Sequence, residues 1–190
     1  MKFLKAIITF LMEIMETIVF IGSLFIAVYM FILQPNQIKG VSMEPTFFDK
    51  EYIFTSKFTY KIRDPQRGDV VVFHSPKNPD IEYIKRVIGL PGDTILISGP
   101  KVFVNGSLIN EPYISAPTQL LPNNFVKENE PVTVSLGEIF VMGDNRPRSA
   151  DSREFGPIPI SSVVGHVFYR YFPANRVGNI NNPFKDDFRS

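Results

Sequence analysis

The chain has 190 residues, no cysteine and two histidines, and carries a net charge of +1 from 20 Lys+Arg against 19 Asp+Glu. That balance excludes a general polyanion binder such as a nucleic-acid protein, and the missing Cys excludes disulfides, thiolate metal sites and a Cys nucleophile. The 16 Pro and 12 Gly suit a turn-rich β domain better than a helical bundle.

Apolar residues are concentrated at the N-terminus. Residues 17–33, TIVFIGSLFIAVYMFIL, carry no charge. As a helix they span roughly 26 Å, a little short of a hydrocarbon core of about 30 Å. Extension back to Ala6 adds only Glu13 and Glu16, which share one helix face, and Pro35 is expected to stop the helix. A cleavable signal peptide would need a shorter run and a small-x-small site, and a buried core helix is seldom apolar all round. An uncleaved membrane anchor fits better. Lys2 and Lys5 favour a cytoplasmic N-terminus, although Lys39 and Lys50 lie on the other side.

Past residue 38 the pattern changes to short strands. Residues 69–74, 81–88 and 95–97 are rich in β-branched residues, and Pro91-Gly92 suits a type II turn. Residues 101–104 and 107–109 flank Asn105-Gly106, a strong type I′ hairpin signal. Runs at 131–134, 139–142 and 163–172 complete the set. Residues 113–130 look like a loop or insertion, and the polar tail from 174 looks loosely held. The expected organisation is therefore a cytoplasmic stub and membrane anchor (1–37), an antiparallel all-β domain (38–175) and a polar tail (176–190). The fold class is mainly β behind a single transmembrane helix.

Three stretches hold chemistry. In Gly40-Val41-Ser42-Met43-Glu44-Pro45-Thr46 a serine sits in a turn, where it fits either a nucleophile or a hydroxyl bonding its own backbone. A nucleophile needs a base. His74 and His166 each lie in or at the end of an apolar strand run, where a structural histidine is the simpler reading. Lys85 and Arg86 are adjacent in a strand and so point to opposite faces, which forces a cation towards apolar surroundings. Lys85 is either a snorkelling, paired lysine or one desolvated enough to be neutral. In 143–157, GDNRPRSADSREFGP, arginines interleave with acids. They would repel a calcium ion, and the spacing is wrong for a phosphate loop, which leaves an ordered Asp–Arg network.

Together GVSMEPT, YIKRVIGLPGD and GDNRPRSADSREFGP, with GDVVVF as a weaker fourth match, resemble the boxes of bacterial type I signal peptidases in their family order. Those are membrane-bound serine proteases that remove signal peptides from exported proteins. The resemblance implies Ser42 as nucleophile, Lys85 as general base and Ser149 as the hydroxyl that orients the lysine. Asp144, Asp151 and Arg153 hold the site in shape, with Arg86 partnering Asp144. Ile38, Gly40, Met43, Phe47, Tyr83 and Ile84 border pockets for small side chains at positions −1 and −3. An extended substrate pairs beside 38–41 and 82–84. Gly40 stands where Gram-negative-type enzymes carry a serine donor to the oxyanion; together with the single anchor and modest insertion, this matches the shorter Gram-positive-type form. No cofactor or metal is implied. The implied partners are preproteins and the lipid bilayer, with a monomeric enzyme whose β domain faces the outside of the cytoplasmic membrane. A self-cleaving Ser–Lys repressor would need a DNA-binding domain in place of the anchor, and a non-catalytic β module would not need Ser42, Lys85 and Ser149 intact.

Overall fold

The computed structural model describes residues 2–31 and 33–184. Helix α1 (Lys2–Phe31) is one uninterrupted rod. Its Lys2–Tyr29 span is long and apolar enough to cross a membrane, and none of that span is buried against the rest of the protein. A core helix would be covered by its own domain; this one leaves Phe10, Phe20 and Phe25 more than half exposed.

Among the described residues after α1, the chain forms strands, connecting loops and a few short helical turns. The elements are β1 (Leu33–Gln37), β2 (Tyr52–Ser56), α2 (Thr59–Ile62), β3 (Val70–His74) and β4 (Glu82–Gly89), then β5 (Thr94–Ser98), β6 (Lys101–Val104) and β7 (Ser107–Leu108). Next come β8 (Val132–Thr133), β9 (Glu138–Met142), α3 (Ser152–Phe155), β10 (Ile158–Pro159), β11 (Val163–Phe172) and β12 (Gly178–Asn179). All strand pairs are antiparallel. The larger sheet runs β1-β2-β11-β3-β4-β9-β10, with β12 on β11; the smaller runs β7-β6-β5-β8.

The local chemistry accounts for the turns. Asp93 N–H donates to the Leu90 carbonyl at 3.0 Å while Gly92 takes φ 88°. That is the positive φ a type II turn requires at its third position. Asn105 and Gly106 both have positive φ, 52° and 78°, and close the β6–β7 hairpin as expected for Asn-Gly. Four strands escape the sequence reading: β1, β2 and the two-residue β10 and β12. β1 is LQPNQ, polar and interrupted by Pro35, and it is tolerated because it lies at the sheet edge, where a missing N–H costs little. β2 follows it as a partner, with Ile53 and Thr55 turned inward. Pro35 therefore does not stop the helix, which ends at Phe31, and 33–37 belong to the sheet rather than to the anchor.

The core is made of β-branched and aromatic side chains. One cluster under β1 and β3 contains Ile38, Met43, Phe47, Ile53, Val70, Val72 and Val167. Each fully buried member stabilises the fold by about 1.5–3 kcal/mol. The 113–130 segment has no helix or strand, yet it is anchored: Arg153 Nη1 donates to the Gln119 carbonyl at 2.9 Å, and Val126 is fully buried. The tail is not loose over 176–184. β12 pairs with β11, Asn182 Nδ2 donates to the Arg67 carbonyl at 2.8 Å, and Phe184 packs edge-on against Tyr113. Residues 185–190 lie outside the described residues.

Candidate active site

The serine-bearing loop follows β1 and is fixed from both ends. Ile38 N–H donates to the Glu51 carbonyl at 2.8 Å, and Gly40, at φ 92°, donates its N–H to Asp49 Oδ1 at 2.7 Å. Met43 and Phe47 plug the underlying core at 1% and 0% exposure. From the other side, Asn145 donates its N–H to the Ser42 carbonyl and its Nδ2 to the Val41 carbonyl, both at 3.0 Å. Asn145 belongs to the Asp–Arg stretch 143–157, and nothing in its sequence context marks it for this role. Among the described residues the Ser42 N–H makes no hydrogen bond.

Lys85 reaches this loop from the middle of β4. Its Nζ donates to Ser42 Oγ at 2.9 Å and to the Ile84 carbonyl at 2.9 Å. Both cations of the Lys85-Arg86 pair are buried, at 4% and 1% exposure, but they are treated differently. Arg86 is bound in a fork, Nε to Asp144 Oδ1 at 2.9 Å and Nη2 to Oδ2 at 2.6 Å, with Tyr113 beneath the guanidinium. Lys85 has no carboxylate in contact. Burial pushes its ammonium down from 10.5 to about 8, against the opposing pull of Asp151 and Asp144, while Arg153 adds to the depression.

The loop after β9 forms the rear wall. Asp151 caps α3 and binds Arg153 in a second fork, Oδ1 to Nε and Oδ2 to Nη2, each at 2.8 Å; Oδ2 also accepts the Gly143 N–H at 2.9 Å. Gly143 is needed for space, because a Cβ there would lie 2.6 Å from the Ser42 carbonyl oxygen and would also strike Ser149. Ser149 departs from expectation. Its Oγ is buried with no hydrogen-bond partner, so the bond to Lys85 is not formed here, although the hydroxyl lies beside the Gly143 that separates it from Ser42.

A groove of about 890 Å³ ends at Ser42, Lys85 and Ala150 and runs between β1 and the first half of β4. Its walls have open edges. β9 pairs with β4 only from Arg86 onward, so along Glu82 to Lys85 the edge of β4 away from β3 has no strand beside it, and β1 is the terminal strand of its sheet. Ile38, Tyr83 and Ile84 line the groove, joined by Ile53 and Val72. Met43 and Phe47 do not; they are fully buried one layer below, and Gly40 lies off the lining. The histidines are elsewhere in function. His74 Nδ1 is 2.9 Å from the Pro79 carbonyl at the far end of the groove, and His166 Nε2 is 3.6 Å from Asp69. Neither hydrogen-bonds Ser42 or Lys85. Among the described residues no group of three or more His, Asp or Glu side chains could hold a metal.

A buried amine of lowered basicity against a hydroxyl, at the end of an open-edged groove, can deprotonate that hydroxyl and present it to an extended peptide. The family described as signal peptidase, peptidase S26, matches residues 11–172. Signal peptidase IB of Staphylococcus aureus strain COL is 38% identical over 188 residues, covering 90% of this chain and 96% of that protein. A probable signal peptidase I-2 of Synechocystis is 37% identical over 172 residues, covering 88% and 76%. A crystal structure of a signal peptidase I from Enterococcus faecalis is 37% identical, covers 55% of this chain and 97% of that one, and superposes with a TM-score of 0.46.

Proposed function

The chain belongs to the peptidase S26 family of signal peptidases and is a serine-type endopeptidase; on that premise we propose that it removes signal peptides from exported preproteins by acyl-enzyme chemistry on a Ser42–Lys85 dyad. The observation that carries the reading is the buried Lys85 Nζ, 2.9 Å from Ser42 Oγ, on the lining of the groove. Deprotonated, Lys85 accepts the Ser42 proton as Oγ attacks the scissile carbonyl. The proton passes to the leaving amine, and Lys85 then activates the water that releases the acyl group.

The free Ser42 N–H supplies one donor to the oxyanion. Gly40 supplies none: it has no side chain, and its N–H is taken by Asp49. Asp144 with Arg86 and Asp151 with Arg153 fix the walls around the lysine, and Ser149 borders them. The substrate lies extended along the free edges of β1 and β4, with small side chains at −1 and −3 against Ile38, Ile84 and Val72. No residue of the site calls for a cofactor.

The test uses the intact chain in detergent with one preprotein carrying Ala, Leu or Lys at −1. The Ala form is expected to be cleaved and the others refused, and Ser42→Ala is expected to cleave none. Equal cleavage of all three would contradict the pocket reading, and cleavage by Ser42→Ala would contradict the nucleophile.

In the cell α1 serves as a single-pass anchor, with Lys2 and Lys5 on the cytoplasmic side and the β domain outside, where the substrate's own apolar segment arrives. Protease added to intact spheroplasts should digest the β domain. Full protection would overturn this orientation.

A further inference from the structure

The floor of the groove changes character in a single two-residue step. In a strand, alternate residues share a face. Near the dyad the facing row is Ile38 from the β1 side, Ile84 from β4 and Val72 from β3, where Val72 and Ile84 are cross-strand partners. One step further the same row reads Asn36, Glu82 and His74, with His74 opposite Glu82. Asn36 Nδ2 donates to Glu82 Oε2 across the groove at 3.1 Å, and Gln34 Nε2 sits 3.4 Å from both carboxylate oxygens. The Asn36 bond is of ordinary length and the Gln34 contacts are long, and all reach an exposed side chain. Asn36 Oδ1 is buried without any donor. The far end of the groove therefore carries exposed negative charge, with Asp80 adding a second carboxylate to Glu82, while Lys39 lies beside Ile38.

This end is also the end next to the membrane helix. α1 stops at Phe31 and β1 starts at Leu33, so Gln34 and Asn36 lie closest to the anchor along the chain. Given the proposed function, on which this step rests, substrate residues upstream of the cleavage site enter from that side. An extended strand advances about 3.3 Å per residue. Residues −1, −3 and −5 share a face, so a substrate whose −1 and −3 side chains meet Ile84 and its neighbours presents −5 to the Asn36–Glu82 row. We infer that Glu82, held by Asn36 and Gln34, is a specificity-determining residue that selects a donor-bearing, preferably cationic, side chain at position −5 and disfavours an acidic one.

The experiment is a preprotein series differing only at −5, with Lys, Gln or Glu, cleaved by the full chain in detergent. Each kcat/KM is divided by that of the Gln form on the same enzyme, which cancels differences in the folded fraction. Wild type should favour Lys over Glu by about five-fold, the scale of an exposed ion pair. Glu82→Lys should invert the order, and Glu82→Gln should bring the ratio near one. The same ratio in all three enzymes would overturn the inference while leaving the proposed function intact. Failure to cleave any form, or cleavage of the Gln form by Ser42→Ala, would instead overturn the proposed function and this inference with it.

Discussion

Lys85→Arg is expected to be as inactive as Lys85→Ala, with kcat lower by roughly six decades, the scale of loss when the base of a nucleophile–base unit is removed. Arginine keeps the charge and much of the length, but its pKa above about 12 leaves it protonated under all working conditions, so it cannot accept the Ser42 proton. The contrast with Arg86 sharpens the point. Arg86 has a carboxylate fork and a ring beneath it, a setting built for a permanent cation. Lys85 has a hydroxyl, one carbonyl and the Tyr83 ring 5.2 Å away but no carboxylate, a setting that does not hold a full charge well. Preprotein cleavage by the three proteins, each checked for its melting transition in detergent, decides the matter. Activity of Lys85→Arg within a few-fold of wild type would remove Lys85 as the base.

Asp144→Ala is expected to destabilise the β domain by about 3–5 kcal/mol, because it leaves the Arg86 guanidinium buried without its carboxylate. The double variant Asp144→Ala/Arg86→Met removes both charges and replaces one by a similar apolar volume. Its loss should fall well short of the sum of the two single losses. Urea unfolding of the four proteins gives the coupling directly. Additive losses would show that the pair is not an interacting unit. Asp144 also pulls the Lys85 ammonium upward in basicity, so any folded Asp144→Asn enzyme should reach half-maximal activity at lower pH than wild type.

Much of this arrangement can be read before folding, for definite reasons. Alternation in a strand dictates that Lys85 and Arg86 part company, and the structure sends one to the serine and the other to Asp144. Asn105-Gly106 and Pro91-Gly92 impose their turns through backbone φ alone. What the chain hides depends on neighbours distant in sequence. β1 is polar and holds a proline, and only its pairing with β2 makes it a strand. The family resemblance implies Met43 and Phe47 as pocket walls; the turn drives them inward, and Ile53 and Val72 line the groove instead. The tail looks loose by composition, but Asn182 and Phe184 find partners at Arg67 and Tyr113. Ser149 is legible as a neighbour of the dyad but not as a bonded one.

The central claim is that a neutral Lys85 is the base, and the pH dependence of kcat/KM on a single preprotein tests it most directly, since that quantity reports the groups of the free enzyme. With the Lys85 ammonium lowered to about 8, activity should be suppressed at pH 6, where the amine is protonated, and rise to a plateau above pH 9 through a limb near 8. Replacing both histidines, His74→Gln and His166→Gln, should leave that limb in place. A limb near 6.5 that disappears in the folded double-histidine variant, or a rate that is flat from pH 6 to 9, would contradict the account.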